Sequence, residues 1–141
     1  VAATDHAIDL AITAARAASD KKASEIIALD VSDHLVLTDA FVIASGNSER
    51  QVSAIVDAVE RALHEAGTKL VRREGKGDAR WVLLDFGDIV VHVQHQEDRA
   101  FYALEKLWGD CPSIELPEDA RGGDGGPEEE ELDEFGFPKN F

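Results

Sequence analysis

The stretch Ala40-Phe-Val-Ile-Ala-Ser45-Gly46-Asn-Ser48-Glu-Arg-Gln51-Val52 decides the fold. Its first six residues form a near-continuous apolar run, the pattern of a strand covered on both faces, and Gly46 breaks it. Ser48 followed three residues later by Gln51 has the form of a capping box, in which the hydroxyl accepts from the third helical amide and the longer side chain reaches back. A strand therefore turns directly into a helix. That helix presents Val52, Ile55, Val56, Val59 and Leu63 at helical spacing. Gly67 then supplies a stop at which a left-handed backbone costs little.

Downstream, Leu70 to Arg73, Trp81-Val-Leu-Leu-Asp85 and Ile89-Val-Val-His-Val-Gln94 read as three strands, and Phe86-Gly87 between the last two predicts a tight hairpin. Upstream, Glu25-Ile-Ile-Ala-Leu-Asp-Val31 is a second apolar run, expected to lie centrally in the sheet. From Thr4 to Lys21, Ile8, Ala11, Ile12, Ala15 and Ala18 recur on one helical face. A face so rich in alanine buries little area, so this helix needs another helix or another subunit against it. A last helix is expected from Asp98 to Trp108, ended at Cys111-Pro112. The element order predicts one α+β domain over residues 1–116, with a mixed sheet of about five strands flanked by helices. Residues 117–141 are rich in Gly, Pro and Glu without apolar periodicity, which predicts a disordered acidic tail that cannot offset its ordering entropy.

Charge narrows the partner. The 141 residues carry a formal net charge of -15, and the stretch from Pro112 onward contributes ten carboxylates against only Arg121 and Lys139. A phosphate backbone repels such a chain, which excludes a broad direct grip on nucleic acid and points to a neutral or basic partner. The single cysteine, Cys111, allows no intramolecular disulfide and no paired thiolates. His92 and His95 lie three apart on an extended segment and so face opposite ways. No metal and no cofactor is therefore expected. No apolar run is long enough to cross a bilayer, and the N-terminus lacks a secretory pattern, so a soluble cytoplasmic protein is expected.

Several segments, taken in order, resemble the Iojap and ribosomal silencing factor family. They are Ile27-Ala-Leu-Asp30 with Thr38-Asp39, Phe41-Val-Ile-Ala-Ser-Gly46, Ser48-Glu-Arg-Gln-Val52, Glu74-Gly75, Trp81 to Asp85, Gly87-Asp-Ile-Val-Val-His-Val93, and Glu97-Asp-Arg-Ala-Phe-Tyr-Ala-Leu-Glu-Lys-Leu-Trp108. They cover roughly Ser24 to Trp108. The resemblance implies a homodimer that binds large-subunit ribosomal protein fourteen where the small subunit would sit, repressing translation by occlusion. It also implies a nucleotidyltransferase-like fold.

Candidate contact residues follow from both sources. Trp81 opens a strand, where it can be a core residue or an interface anchor, and the resemblance assigns it to the ribosomal-protein-binding face. Asp85, Asp88, Glu97 and Asp98 form an acidic rim suited to a basic partner, with Asp88 first among them as a contact. His92, Arg99 and Tyr102 match family positions, although His92 equally suits a hydrogen bond within the sheet and Arg99 an ion pair holding the last helix down. Gly46 and Ser48 form a strand-to-helix turn able to hold an anion, like the turn of nucleotidyltransferases. Those enzymes carry two metal-binding carboxylates on the next strand, whereas this chain reads Thr68-Lys-Leu-Val-Arg-Arg73. Without such a pair, phosphoryl transfer lacks its metal support, so an enzyme is not expected and a nucleotide-binding protein is the alternative.

Overall fold

A computed structural model describes residues 2–75 and 80–122, with the backbone alone for Phe101, Tyr102, Leu104 and Glu105. The elements run α1 (Asp5–Asp20), β1 (Ser24–Asp30), β2 (Ala40–Gly46), α2 (Glu49–Glu65), β3 (Arg72–Gly75), β4 (Trp81–Asp85), β5 (Ile89–His95), α3 (Gln96–Tyr102) and α4 (Leu104–Leu107). A 3-10 turn follows at Glu118–Ala120. The sheet is mixed and five-stranded, in the order β1-β2-β5-β4-β3. Strand β2 runs antiparallel to β1 and parallel to β5, and β4 is antiparallel to both β5 and β3.

The strand-to-helix signal at 40–52 is realised closely. Every residue of β2 is buried, and all five apolar residues expected to form the inner stripe of α2 are inaccessible to solvent. Ser48 caps α2 through its hydroxyl, which accepts from the Gln51 amide at 3.1 Å. Its far end closes in a Schellman arrangement, with Gly67 (φ 87°) donating to the His64 carbonyl and Thr68 to that of Leu63.

Strand β1 is at the edge of the sheet rather than central. Its apolar pattern has another cause: the segment after α4 lies along its free side, where Asp30 N–H donates to the Pro112 carbonyl and Ile114 N–H to the Ala28 carbonyl, each at 2.8 Å. A strand so covered needs no charged residues to blunt its edge. The opposite edge, β3, is short, exposed and carries Arg72, Arg73 and Glu74, side chains that discourage pairing with another chain. It begins two residues later than the sequence suggests, although Val71 N–H already donates to the Asp85 carbonyl.

Helices α1 and α2 pack against each other and share one face of the sheet. The buried side of α1 is Ala7, Leu10, Ala11, Ala14, Ala15, Ala17 and Ala18, rotated from the expected stripe so that Ile8 and Ile12 are only half-buried. Small side chains let the helices approach closely, and the 3-10 turn adds Ala120 to the same cluster. Chain order thus extends past the boundary at Leu116 suggested by composition: the turn lies on α1, and Arg16 pairs with Asp119 at 3.0 Å. The rest of the acidic tail, residues 123–141, lies outside the described residues.

The last helix also differs from the single run expected. It starts at Gln96, capped by the His95 ring accepting from the Glu97 amide at 3.1 Å, and breaks at Ala103, which takes a left-handed conformation (φ 48°). The helical rise resumes in α4 as one short turn.

Because α1 is packed through alanines that leave no room, Ala14→Leu should destabilise the protein by about 1–3 kcal/mol through overpacking. Urea denaturation checks this; an unchanged midpoint would mean that the α1 and α2 interface is loose.

Candidate functional site

The sheet face opposite α1 and α2 is where the expected residues gather. Alternation along β4 and β5 puts Trp81, Leu83 and Asp85 on this face with Val90, His92 and Gln94, while Val82, Leu84, Val91 and Val93 point to the helices. Leu29, Phe41, Ile43, Val90 and Cys111 form a second apolar cluster here, with Ile27, Leu35, Leu83 and Trp108 half-buried against it.

A row of aromatic rings crosses this face. Trp81 lies 6.2 Å from His92, His92 5.1 Å from Phe41, Phe41 5.1 Å from Trp108, and Trp108 6.0 Å from His34, centroid to centroid. The last three contacts are edge-to-face, an arrangement favoured by the ring quadrupole. Sequence reasoning missed Phe41 and Trp108 as members, because Phe41 reaches His92 only through the β2–β5 pairing and Trp108 reaches Phe41 only through tertiary packing. At the Trp108 end the surface is openly apolar: Val36 (97% exposed), Leu37 (85%) and Leu107 (72%) all face solvent.

Trp81 is half-buried and donates its indole N–H to His92 Nδ1 at 3.3 Å. That bond fixes the neutral tautomer of His92, with its proton on Nε2, an atom that has no partner among the described residues. Burial drives the His92 pKa down from 6.5 to about 4, so the ring is neutral at physiological pH. Gln94 lies fully buried beside it, its amide atoms also without partners among the described residues.

Arg80 precedes Trp81 and is held by Asp98, at 2.8 Å and 3.0 Å, and by Glu97 at 3.1 Å. These bonds raise the guanidinium pKa further and tie the start of β4 to α3. Two carboxylates that the sequence offered as an acidic rim are therefore neutralised locally. Arg99 is 3% exposed, donating to the Ser45 hydroxyl at 3.3 Å with Nε 3.7 Å from Glu25, which anchors α3 to β1 and β2.

The remaining residues are spread out. Asp85 shares the face of Trp81 but accepts from the Gly87 amide at 2.8 Å, serving the β4–β5 turn. Asp88 projects from that turn at the other end of the sheet, 3.8 Å from His6, while its carbonyl accepts from the amides of Asp39 and Ala40. Tyr102 is placed by its backbone at the end of α3, and its side chain lies outside the described residues. Gly46 closes β2 beside His95 of β5, and Ser48 caps α2 two residues on. A Cβ at Gly46 would stand 3.1 Å from the Val52 nitrogen, so the turn is tight there and favours glycine. Gln51 already accepts from the Asn47 amide at 2.7 Å and donates to the Lys21 and Lys22 carbonyls, so it ties the turn to the end of α1.

No helix among the described residues is long and apolar enough to cross a membrane. The family model described as ribosomal silencing factor during starvation matches residues 4–135. Among curated proteins, Ribosomal silencing factor RsfS of Halalkalibacterium halodurans is 48% identical over 73% of this chain and 88% of its own length. The Bacillus subtilis protein of the same name is 47% identical over 73% and 87%. The maize protein Iojap, chloroplastic, is 37% identical over 81% of this chain and 50% of its own length. Among solved structures, one from Bacillus halodurans superposes with a TM-score of 0.67 at 43% identity, covering 80% of this chain and all of that one.

The depressed His92 pKa makes stability depend on pH. The unfolded chain takes up a proton near pH 6.5 and the folded one only near pH 4, so this residue's contribution is intact above about pH 6.5 and is lost as pH falls toward 4. The loss should reach roughly 3 kcal/mol at most. Urea midpoints measured across that interval should fall more steeply for the parent chain than for His92→Gln; parallel curves would show that His92 is not the group responsible.

Proposed function

The chain belongs to the ribosomal silencing factor family, and from that premise we propose that it represses translation by docking on the large ribosomal subunit through ribosomal protein fourteen. Docked there, it blocks the small subunit from joining. The observation that carries the reading is Trp81: a half-exposed indole, fixed by its bond to His92 and flanked by Leu83 on the one sheet face without helices α1 and α2. A rigid aromatic anchor set in an apolar face is the usual form of an interface hot spot. It gains contact area at little cost in ordering, because the hydrogen bond has already chosen its rotamer.

In this reading Trp81 and Leu83 make the contact, the buried His92 holds the indole in place, Asp85 and Asp88 favour a basic partner from the turn end, and Arg99 anchors α3. The excess negative charge keeps the protein off ribosomal RNA and directs it to a basic protein surface. The protein works in the cytoplasm without catalysis, and when free it forms a homodimer. Residues 1–122 act as the binding domain, and the acidic stretch 123–141 as an appendage outside the contact.

Sedimentation with purified large subunits, small subunits and isolated ribosomal protein fourteen tests the proposal. Binding is expected to large subunits and to that protein, and not to small subunits. Trp81→Ala should weaken it by about 2 kcal/mol, some thirtyfold in Kd, with the fold preserved by circular dichroism. Deleting residues 123–141 should leave binding intact. Equal binding by Trp81→Ala would move the contact elsewhere, and loss of binding on tail deletion would favour non-specific capture of basic partners.

A further inference from the structure

At the far end of the aromatic row, the turn after β1 meets the turn that ends α4. Three side chains converge there from positions 34, 110 and 111, with the His34 ring nitrogen, an Asp110 carboxylate oxygen and the Cys111 sulfur all within 4.8 Å of one another. Nothing in the ribosome-binding reading uses them.

We propose that His34, Asp110 and Cys111 form a binding site for a divalent transition-metal ion of zinc's class. The donor set argues for that class: imidazole nitrogen and thiolate sulfur suit zinc and its neighbours, whereas magnesium and calcium demand oxygen. Spacing argues in the same direction. Zinc holds such donors about 2.0–2.3 Å from itself, which puts neighbouring ligand atoms roughly 3.3–3.6 Å apart in a tetrahedron. His34 Nε2 already stands 3.7 Å from the Asp110 carboxylate, too far for a hydrogen bond and close to that ligand separation. The remaining separations, at most 4.8 Å, exceed that spacing by no more than about 1.5 Å.

The scaffold holds the two turns together before any ion arrives. His34 and Leu35 both donate their amides to the Val31 carbonyl, Cys111 donates to the Trp108 carbonyl at 3.0 Å, and Asp30 N–H reaches the Pro112 carbonyl at 2.8 Å. The edge of the His34 ring contact with Trp108 orients the imidazole. Cys111 forms the buried floor, while His34 and Asp110 are exposed and leave a path of entry. Three protein donors leave a fourth position for water.

Burial, and after it the charges of Asp110, Asp30 and Asp33, push the Cys111 thiol pKa up. The same carboxylates that disfavour a bare thiolate favour a cation beside it. Binding therefore releases the thiol proton and strengthens as pH rises. Occupancy would clip the loop bearing Val36 and Leu37 to the segment bearing Leu107, fixing the exposed apolar margin of the face.

The test uses the untagged full chain under reducing conditions, with cobalt(II) as a spectroscopic probe and zinc as its competitor. One equivalent of cobalt should bind with a sulfur-to-cobalt charge-transfer absorption that zinc abolishes. Zinc should raise the melting temperature, because it binds the folded state. Cys111→Ser should remove the charge-transfer band. His34→Ala and Asp110→Asn alter exposed residues that the core does not need, and each should weaken binding at least about tenfold. Absence of the band in the parent chain, or equal affinity in His34→Ala, would overturn the proposal.

Discussion

Parallel pairing of β2 with β5, from Ala40 beside Ile89 to Gly46 beside His95, is the constraint on which the rest of the structure depends. Parallel neighbours cannot be joined by a tight turn, so the chain between them must leave the sheet and return, and α2 with the β3–β4 excursion does so. Because the two strands are interior, one set of their side chains has to be covered by helices. Val42, Ala44, Val91 and Val93 take that role under α1 and α2. The alternate set, Phe41, Ile43, Val90 and His92, is thereby committed to the opposite face. The register that buries the core is also what places Phe41 against His92 and, one strand further, His92 against Trp81.

That second face has a different economy of packing. It lacks the two long helices and is covered instead by Trp108, Cys111 and the loop after β1, which leaves Trp81 and Leu83 half-exposed. Polar groups set into it are held by specific bonds: Trp81 to His92, Arg99 to Ser45, Arg80 to Asp98. Such bonds cost little flexibility at the moment of contact, because the side chains already have one position each. The face's most buried titratable ring is neutral at physiological pH, and beside it Gln94 is buried with its amide atoms unpartnered among the described residues.

Local signals in the chain were strong wherever a few neighbouring residues determined the outcome. The Ser48 cap, the five inward residues of α2, the stop at Gly67 and the extent of β4 were all legible, because each rests on spacing within one or two turns of chain. Strand order was not. The apolar run of β1 predicted a central strand, and it is an edge strand whose free side is closed by residues 112–114, a pairing more than eighty residues distant in sequence. The break at Ala103 was hidden for another reason: alanine favours helix, and nothing local announces its left-handed conformation. Of the candidate residues, Trp81 and His92 share one surface, whereas Asp88 projects from the β4–β5 turn toward His6, a placement that only the tertiary fold decides. The partners of the carboxylates were equally out of reach, since Arg80 captures Glu97 and Asp98 only once α3 has folded back over the sheet.

In the proposed reading this face, once docked on the large subunit, keeps the small subunit away. Light scattering of purified subunits as they associate measures that directly. Adding the protein to large subunits first should slow and reduce joining in proportion to occupancy, with Trp81→Ala shifting the effect to higher protein concentrations. Undiminished joining at protein concentrations that saturate the large subunit would contradict the account, because binding would then occur without occlusion.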